Sequence, residues 1–416
     1  MDEREYRPRI VDAAVKHGLE IAGGVVIEGP RGCGKTRTGL HHSASVFYAD
    51  RAQSRRLAEL DPQAPFDGAT PRLIDEWSII PDIWNEARHL IDERPGKGQF
   101  ILTGSAVPAD DVTRHTGAAR FLRVPMRTMT WAEKGVSQPS VSLRGLFAGD
   151  SLERSGETWS LDQVIEGILT SGFPAQIDLK PADAAVVLRS YQSDLSRADL
   201  PRLISTRQSP EVIDYLVQSF ARNTSSQISL ATLRKDLMTV TESIAPETVQ
   251  NLVSGLERVY AVEKIPAWTP RLRSRARLRT SPKFNLMDPA FSAAVMGVGH
   301  DGLREDLSTL GLLFESAVSH DLTVMVEALG GKVYHYRNSN TEEIDLIAEL
   351  PDGQWAAFEV KLGMEATLKA MENVPTVLSH LDTSTPPVFT AVVTGLGTQF
   401  TAANGVMSIP FGALGV

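Results

Sequence analysis

The eight residues Gly29-Pro30-Arg31-Gly32-Cys33-Gly34-Lys35-Thr36 restrict the fold of this chain more than any others. They fit the spacing G-x-x-x-x-G-K-[ST], follow the apolar run 23–29 and precede a helical stretch. A strand, a tight loop and a helix start are therefore dictated together. Glycines in such a loop let backbone N–H groups curl around phosphate oxygens, and the helix adds the positive end of its dipole. Lys35 is expected to reach the β- and γ-phosphates, and the Thr36 hydroxyl to ligate Mg²⁺.

The neighbouring pattern extends this expectation. Residues 45–50, 72–77 and 99–105 read as buried strands, and PDIWNEARHLIDERPG between the last two has helical spacing that ends at Pro95-Gly96. Strands alternating with helices predict a parallel α/β sheet over residues 1–150. In LIDEW, Asp75 at a strand end is expected to hold Mg²⁺ directly or through water, and Glu76 to orient or activate the attacking water. Thr103, ending FILTGS, sits where a polar group can contact the γ-phosphate or that water. One of Arg114, Arg120, Arg123 and Arg127 is a candidate for stabilising transition-state charge, across a subunit boundary if the chain forms a homo-oligomer. Arg120 is carried forward among the catalytic candidates. A guanine-specific site is disfavoured because no N-K-x-D tetrapeptide occurs, which leaves ATP as the expected nucleotide.

Length and composition set the outer limits. With 416 residues the chain has room for several domains. A net charge of -9 argues against nonspecific coating of nucleic acid by the whole surface, but not against a local basic patch. The single Cys33 cannot form an internal disulfide, as expected in a reducing cytosol. The charged start MDEREYRPR lacks the apolar core of a signal peptide, and no run of about 18 apolar residues occurs. A cytoplasmic location without a membrane partner is expected.

A polar stretch at 135–150 reads as a boundary, and residues 151–297 as a mostly helical second domain. SLATLRKDL and APETVQNLVSGLERVY are two helical patterns, with Pro246 well placed at a helix start. Two strand-like runs follow, AVEKIPAW and KFNLMD, so a winged helix-turn-helix is predicted. Between them lies RLRSRARLR, in which Arg271, Arg273, Arg275, Arg277 and Arg279 alternate. In an extended strand all would share one face, a positive stripe suited to the phosphate backbone of DNA. The competing expectation is a solvated loop whose arginines pair with acids of another domain. Few aromatics interleave, so base stacking is not expected there.

The last third, 298–416, opens with a long helix and then contains EIDLIAELPDGQWAAFEVK, residues 343–361. Pro351-Asp352-Gly353 is a turn signal, and counting outward from it pairs Leu350 with Gln354 and sets Asp345 opposite Glu359. Opposed like charges destabilise a sheet by up to about 1 kcal/mol. Either the register differs, or a cation belongs between them. Lys361 lies two residues along on the same face. His41, His42 and His335 have no acid or cysteine at ligand spacing and are read as structural.

Together, IEGPRGCGKT, PRLIDEW, QFILTGSAVP, RHTGAARF, MRTMTWAEKG, SGFPA, PKFNLMDPA, GLLFESAV and the hairpin resemble a family of bacterial and archaeal AAA-type ATPases. Those proteins carry a C-terminal domain related to the PD-(D/E)xK restriction-endonuclease-like fold. The resemblance covers nearly the whole chain. It implies an α/β AAA-type P-loop domain at 1–150, a helical and winged-helix domain at 151–297, and a nuclease-like α/β domain at 298–416. It also implies roles at the C-terminus: Glu315 on the long helix, Asp345, and Glu359 with Lys361 match the helix acid, strand acid and E-x-K of that fold. Asp345 and Glu359 would then hold Mg²⁺ or Mn²⁺, with Lys361 steadying the nucleophile or the developing charge. Two positions depart from the pattern: Ser78 replaces a glutamine after the acidic pair, and Ala119 replaces a glycine before Arg120. The implied whole is an ATPase that couples nucleotide state to DNA engagement and metal-dependent cleavage. Its rivals are an ATP-dependent regulator with an inert nuclease-like domain and an interaction protein whose C-terminal domain docks a partner.

Overall fold

Five short apolar runs in the first third assemble into one sheet: β1 (Gly24–Glu28), β2 (Ser45–Tyr48), β3 (Arg72–Asp75), β4 (Phe100–Gly104) and β5 (Phe121–Pro125). The structure, a computed structural model, describes residues 6–104, 119–204, 206, 208–269, 281–338, 342–381, 383 and 385–416. All five strands run parallel, in the order β2-β3-β4-β1-β5. Successive side chains of a strand point to opposite faces, so each strand feeds two cores. Val26, Ile74 and Leu102 pack with Trp77 and Trp84 on one face. Val25, Ile27, Leu73 and Ile101 pack with Val15 and Val124 on the other. Because β4 lies between β1 and β3, the loop after β1 and the acid ending β3 flank the C-terminal end of β4. Ligands of open parallel sheets bind at such strand ends.

The chain divides into two compact units, Met1–Thr128 with Arg258–Ala261, and Met129–Glu257 with Val262–Val416. In the second, β6 (Val141–Ser142) pairs in parallel with a strand near the C-terminus. The predicted helical patterns form the helices Leu230–Leu237 and Pro246–Arg258. Ser229 caps the first by accepting a hydrogen bond from the Thr232 amide. Around them lie β7 (Ser226–Gln227), β8 (Val262–Ile265) and β9 (Lys283–Leu286), an antiparallel sheet in the order β7-β9-β8.

The long helix Leu307–Ala328 follows, then β10 (Lys332–Arg337), β11 (Glu343–Glu349), β12 (Trp355–Lys361), the helix Met364–Ser379, β13 (Thr390–Thr394), β14 (Phe400–Thr401), β15 (Met407–Pro410) and β16 (Leu414–Gly415), the partner of β6. The main sheet runs β10-β11-β12-β13-β15-β14, antiparallel from β10 to β12 and parallel from β12 through β13 to β15. One core joins the middle helices to this sheet, from Trp131, Val164 and Ile168 through Phe314 and Leu322 to Phe358 and Val393. Ala267 and Trp268, just beyond β8, lie along β10: the Trp268 amide donates to the His335 carbonyl at 2.7 Å, and the His335 amide to that of Pro266 at 3.0 Å. An edge strand is thereby covered, which removes a row of unpaired backbone groups.

Several of the quoted segments meet in the interior of the second unit. Lys134 is buried and donates to the Gly167 carbonyl at 3.0 Å and also to that of Thr170. Asp321 accepts from the Trp131 amide, and Asp288 from the Gly172 amide while capping the helix Pro289–Met296. His320 bonds Asp321 at 2.8 Å. Burial pushes the Lys134 ammonium down, opposed by Asp288 and Asp321. Among the described residues, no helix is long and apolar enough to cross a membrane.

Candidate functional site

The Gly-rich loop has little freedom in composition. A Cβ on Gly29 would fall 1.9 Å from the Met126 carbonyl oxygen. Gly32 and Gly34 stand at φ 83° and 111°, in the left-handed region that disfavours side chains. Lys35 opens the helix Lys35–His41 and folds back over the loop, its Nζ donating to the carbonyls of Gly29 at 2.9 Å and Pro30 at 2.8 Å.

Three elements then converge on one carboxylate oxygen. Thr36 Oγ1 donates to Asp75 Oδ1 at 2.8 Å, and Thr103 Oγ1 to the same oxygen at 2.6 Å. The Glu76 amide donates to Thr103 Oγ1 at 3.2 Å. Glu76 itself lies at φ 53°, ψ 42°, left-handed for a residue with a side chain. Such a conformation costs on the order of 1–3 kcal/mol and is held in place by its surroundings. The donor set of a backbone-lined cradle, a lysine, two hydroxyls and two acids fits a nucleotide triphosphate with magnesium.

A brace beneath the loop left no signal in the sequence. Arg9 is buried, and its guanidinium donates to the Cys33 carbonyl at 2.9 Å and the Arg127 carbonyl at 2.9 Å. Tyr6 donates to Asp12 Oδ1 at 2.6 Å and lies 3.0 Å from Thr38 Oγ1, while His42 bonds the same Asp12 oxygen at 3.0 Å. Burial would raise the Asp12 carboxyl, but hydrogen bonds from His42, Tyr6 and the Arg9 amide hold it below its usual range. His41 stacks on the Tyr6 ring at 4.1 Å.

Two of the candidate arginines, Arg120 and Arg123, form ion pairs with Asp92 and Glu28. Arg120 donates to Asp92 through Nε at 2.9 Å and Nη2 at 3.1 Å. It precedes β5, whose first residue pairs with Gly24 at the start of β1, so it stands at the sheet edge opposite the loop. A part for Arg120 in phosphate chemistry would have to be played across a subunit boundary. Arg123 pairs with Glu28 and lies over the Trp84 ring. Arg114, Arg271, Arg273, Arg275, Arg277 and Arg279 lie outside the described residues.

At the C-terminus the hairpin has the register counted from its turn. Leu346 faces Phe358, the Leu350 amide donates to the Gln354 carbonyl at 2.8 Å, and Gly353 takes φ 86°. Asp345 Oδ2 accepts from the Val360 amide at 2.9 Å and from Lys361 Nζ at 3.0 Å, and Lys361 also reaches Glu359 Oε2 at 2.6 Å. A second lysine arrives from β9: Lys283 Nζ is 2.9 Å from Glu315 Oε1, 2.9 Å from Glu343 Oε1 and 3.7 Å from Asp345 Oδ1. The cation between the opposed carboxylates Asp345 and Glu359 is thus the Lys361 ammonium, and Lys283 joins Asp345 to Glu315 and Glu343.

The metal centre expected at Asp345 and Glu359 therefore does not fit this arrangement. Among the described residues, no group of three or more His, Cys, Asp or Glu is disposed to hold a metal ion. Burial and the Asp345 charge push Glu359 up to about 8 and Glu315 up to about 7. For Asp345, burial is outweighed by Lys361 and Lys283, which hold it below the usual carboxylate range. Both lysines are raised against burial by the surrounding carboxylates. His335 is buried, bonds the Ser281 carbonyl at 3.1 Å, and is pushed down to about 4 by burial and by Lys283. Lys283 and Glu343 were not among the expected site residues. Lys283 lies 32 residues before Glu315, and nothing in its spacing announced the contact.

Residues 161–302 match the family described as Domain of unknown function (DUF8612), and residues 310–414 that described as Domain of unknown function (DUF4143). Two proteins described as uncharacterized, from Mycobacterium bovis and Mycobacterium tuberculosis, are each 25% identical over 356 residues, 84% of this chain and 72% of theirs. The chain is also similar to a solved structure, the Walker-type ATPase of Pyrococcus abyssi, at 12% identity and a TM-score of 0.40, over 70% of this chain and 96% of that one. The strand order, the glycine-bound loop and the shared Asp75 oxygen make the first unit an α/β domain of the P-loop kind.

Proposed function

We propose that this protein binds and hydrolyses ATP at the loop after β1 and uses its nucleotide state to govern engagement of DNA. One observation carries the first part: Thr36, from the loop, and Thr103, from β4, both donate to Asp75 Oδ1. Mg²⁺, when bound, neutralises charge on the phosphate oxygens. Thr36 and Asp75 would hold it. Lys35 exchanges the Gly29 and Pro30 carbonyls for phosphate oxygens. Thr103 fixes the Asp75 carboxylate, and Glu76, tied to Thr103 through its amide, orients the attacking water and accepts its proton. ATP turnover by the purified protein is the test, and undiminished turnover in Lys35→Ala would refute the site.

DNA as the partner is supported by the five alternating arginines, Arg271 to Arg279. The order of elements around them, helix, β7, two helices, β8 and β9, supports a winged-helix reading. Replacing all five is expected to weaken DNA binding and flatten its dependence on salt. Unchanged affinity would remove DNA from the proposal.

For the C-terminal domain, Lys283 favours the inert alternative. The order of helix, β10–β12, helix and β13, with Glu315, Asp345, Glu359 and Lys361 in place, supports a nuclease-like scaffold. Its acids are neutralised by lysines instead of gathered around an open position. DNA incubated with the protein and Mg²⁺ or Mn²⁺ should stay intact. Cleavage lost in Glu359→Ala would reverse this choice.

A further inference from the structure

Hard divalent cations take six or more oxygen ligands, at about 2.1 Å for Mg²⁺. The carboxylates of Glu315 and Glu343 instead stand around Lys283 Nζ at ammonium distances, 2.9 Å each. Asp345 turns one oxygen to each lysine, Oδ1 toward Lys283 and Oδ2 to Lys361 and the Val360 amide. Lys283 is not free to swing aside. It sits on the central strand of its sheet, in register with Gln227 on one side and Ile265 on the other, and its side chain is only 3% exposed. Its sheet is in turn tied to the main sheet where Trp268 meets His335 and packs its ring 4.6 Å from that of Trp355.

We infer that Lys283 is the resident cation among Glu315, Glu343 and Asp345, as Lys361 is between Asp345 and Glu359, so that Lys283 and a divalent cation held by Asp345 exclude one another. The cluster is then an ion-paired joint between the β7-β9-β8 sheet and the C-terminal sheet. The inference rests on the inert reading of the C-terminal domain and is independent of the nucleotide site.

The test is Mn²⁺ binding in the absence of nucleotide, read from the electron paramagnetic resonance signal of free Mn²⁺. The unaltered protein and Asp345→Asn should bind Mn²⁺ alike. Lys283→Met should gain one site at least about tenfold tighter, and the further change Asp345→Asn should remove it. If Lys283→Met does not fold, Lys283→Met with Glu343→Gln, which removes one charge of each sign, takes its place. One Mn²⁺ bound by the unaltered protein and lost in Asp345→Asn overturns the inference, and that comparison needs no change at Lys283. A folded Lys283 variant that gains no site also overturns it. Mn²⁺ bound by the unaltered protein without DNA cleavage would sink this inference and leave the inert reading standing.

Discussion

Single residues at the proposed nucleotide site are expected to carry separable jobs. Glu76 is held left-handed at the end of β3, a strain retained beside the oxygen where Thr36 and Thr103 meet. Glu76→Gln is expected to lower ATP turnover by about 10²-fold or more while ATP still binds, as measured by single-turnover hydrolysis and nucleotide titration. Ala119 offers a contrast. It stands at φ 67°, a left-handed conformation that carries a cost for a residue with a side chain. Ala119→Gly should raise stability by up to about 1 kcal/mol, seen as a higher urea midpoint. Equal midpoints would mean that the unfolded-state entropy of glycine cancels the gain.

At the scale of elements, buried charges join pieces that are distant in sequence. Lys134 faces Asp288 and Asp321, each of which holds a backbone amide of another segment. Lys134→Met would leave the buried Gly167 and Thr170 carbonyls without their charged donor, at a cost of about 1–3 kcal/mol in denaturant unfolding. The C-terminal cluster adds a pH dependence. Burial and the Asp345 charge push Glu359 and Glu315 up to about 8 and about 7, above the ordinary range of a glutamate. The folded protein therefore holds protons that the unfolded chain releases near pH 4.5, and their contribution to stability is lost as pH rises toward 8. His320 acts in the same sense: hydrogen bonding and charge from Asp321 outweigh its burial and raise it above 6.5. The melting temperature of the second unit should fall between pH 5 and about 8.5. Glu359→Gln should shrink that fall, and an unchanged slope would show that the carboxyl is not protonated in the native state.

For the molecule as a whole, the two units have separate cores, so heating should give two transitions. A saturating non-hydrolysable ATP analogue with Mg²⁺ should shift only the transition of the first unit, by about 2.7 kcal/mol at a hundredfold excess over Kd. Lys35→Ala should abolish the shift. Differential scanning calorimetry would read both.

What the sequence by itself determined is local. The Gly-rich loop, the strand ending in Asp75, the helix begun at Pro246 and the hairpin register from Pro351-Asp352-Gly353 all follow from residues within a few positions of one another. Backbone freedom, side-chain periodicity and turn chemistry act over that range. Only the tertiary structure decided which charges meet. It set Lys283 among Glu315, Glu343 and Asp345, Arg9 under the loop, and Arg120 on Asp92 at the far edge of the sheet. Those contacts join segments far apart in the chain, and their energies depend on burial, which exists only once the cores have formed. The opposed carboxylates of the hairpin show both halves. Their facing, and Lys361 on the same face, were legible from the turn, but the second cation, Lys283 beside Asp345, came from a strand of another sheet.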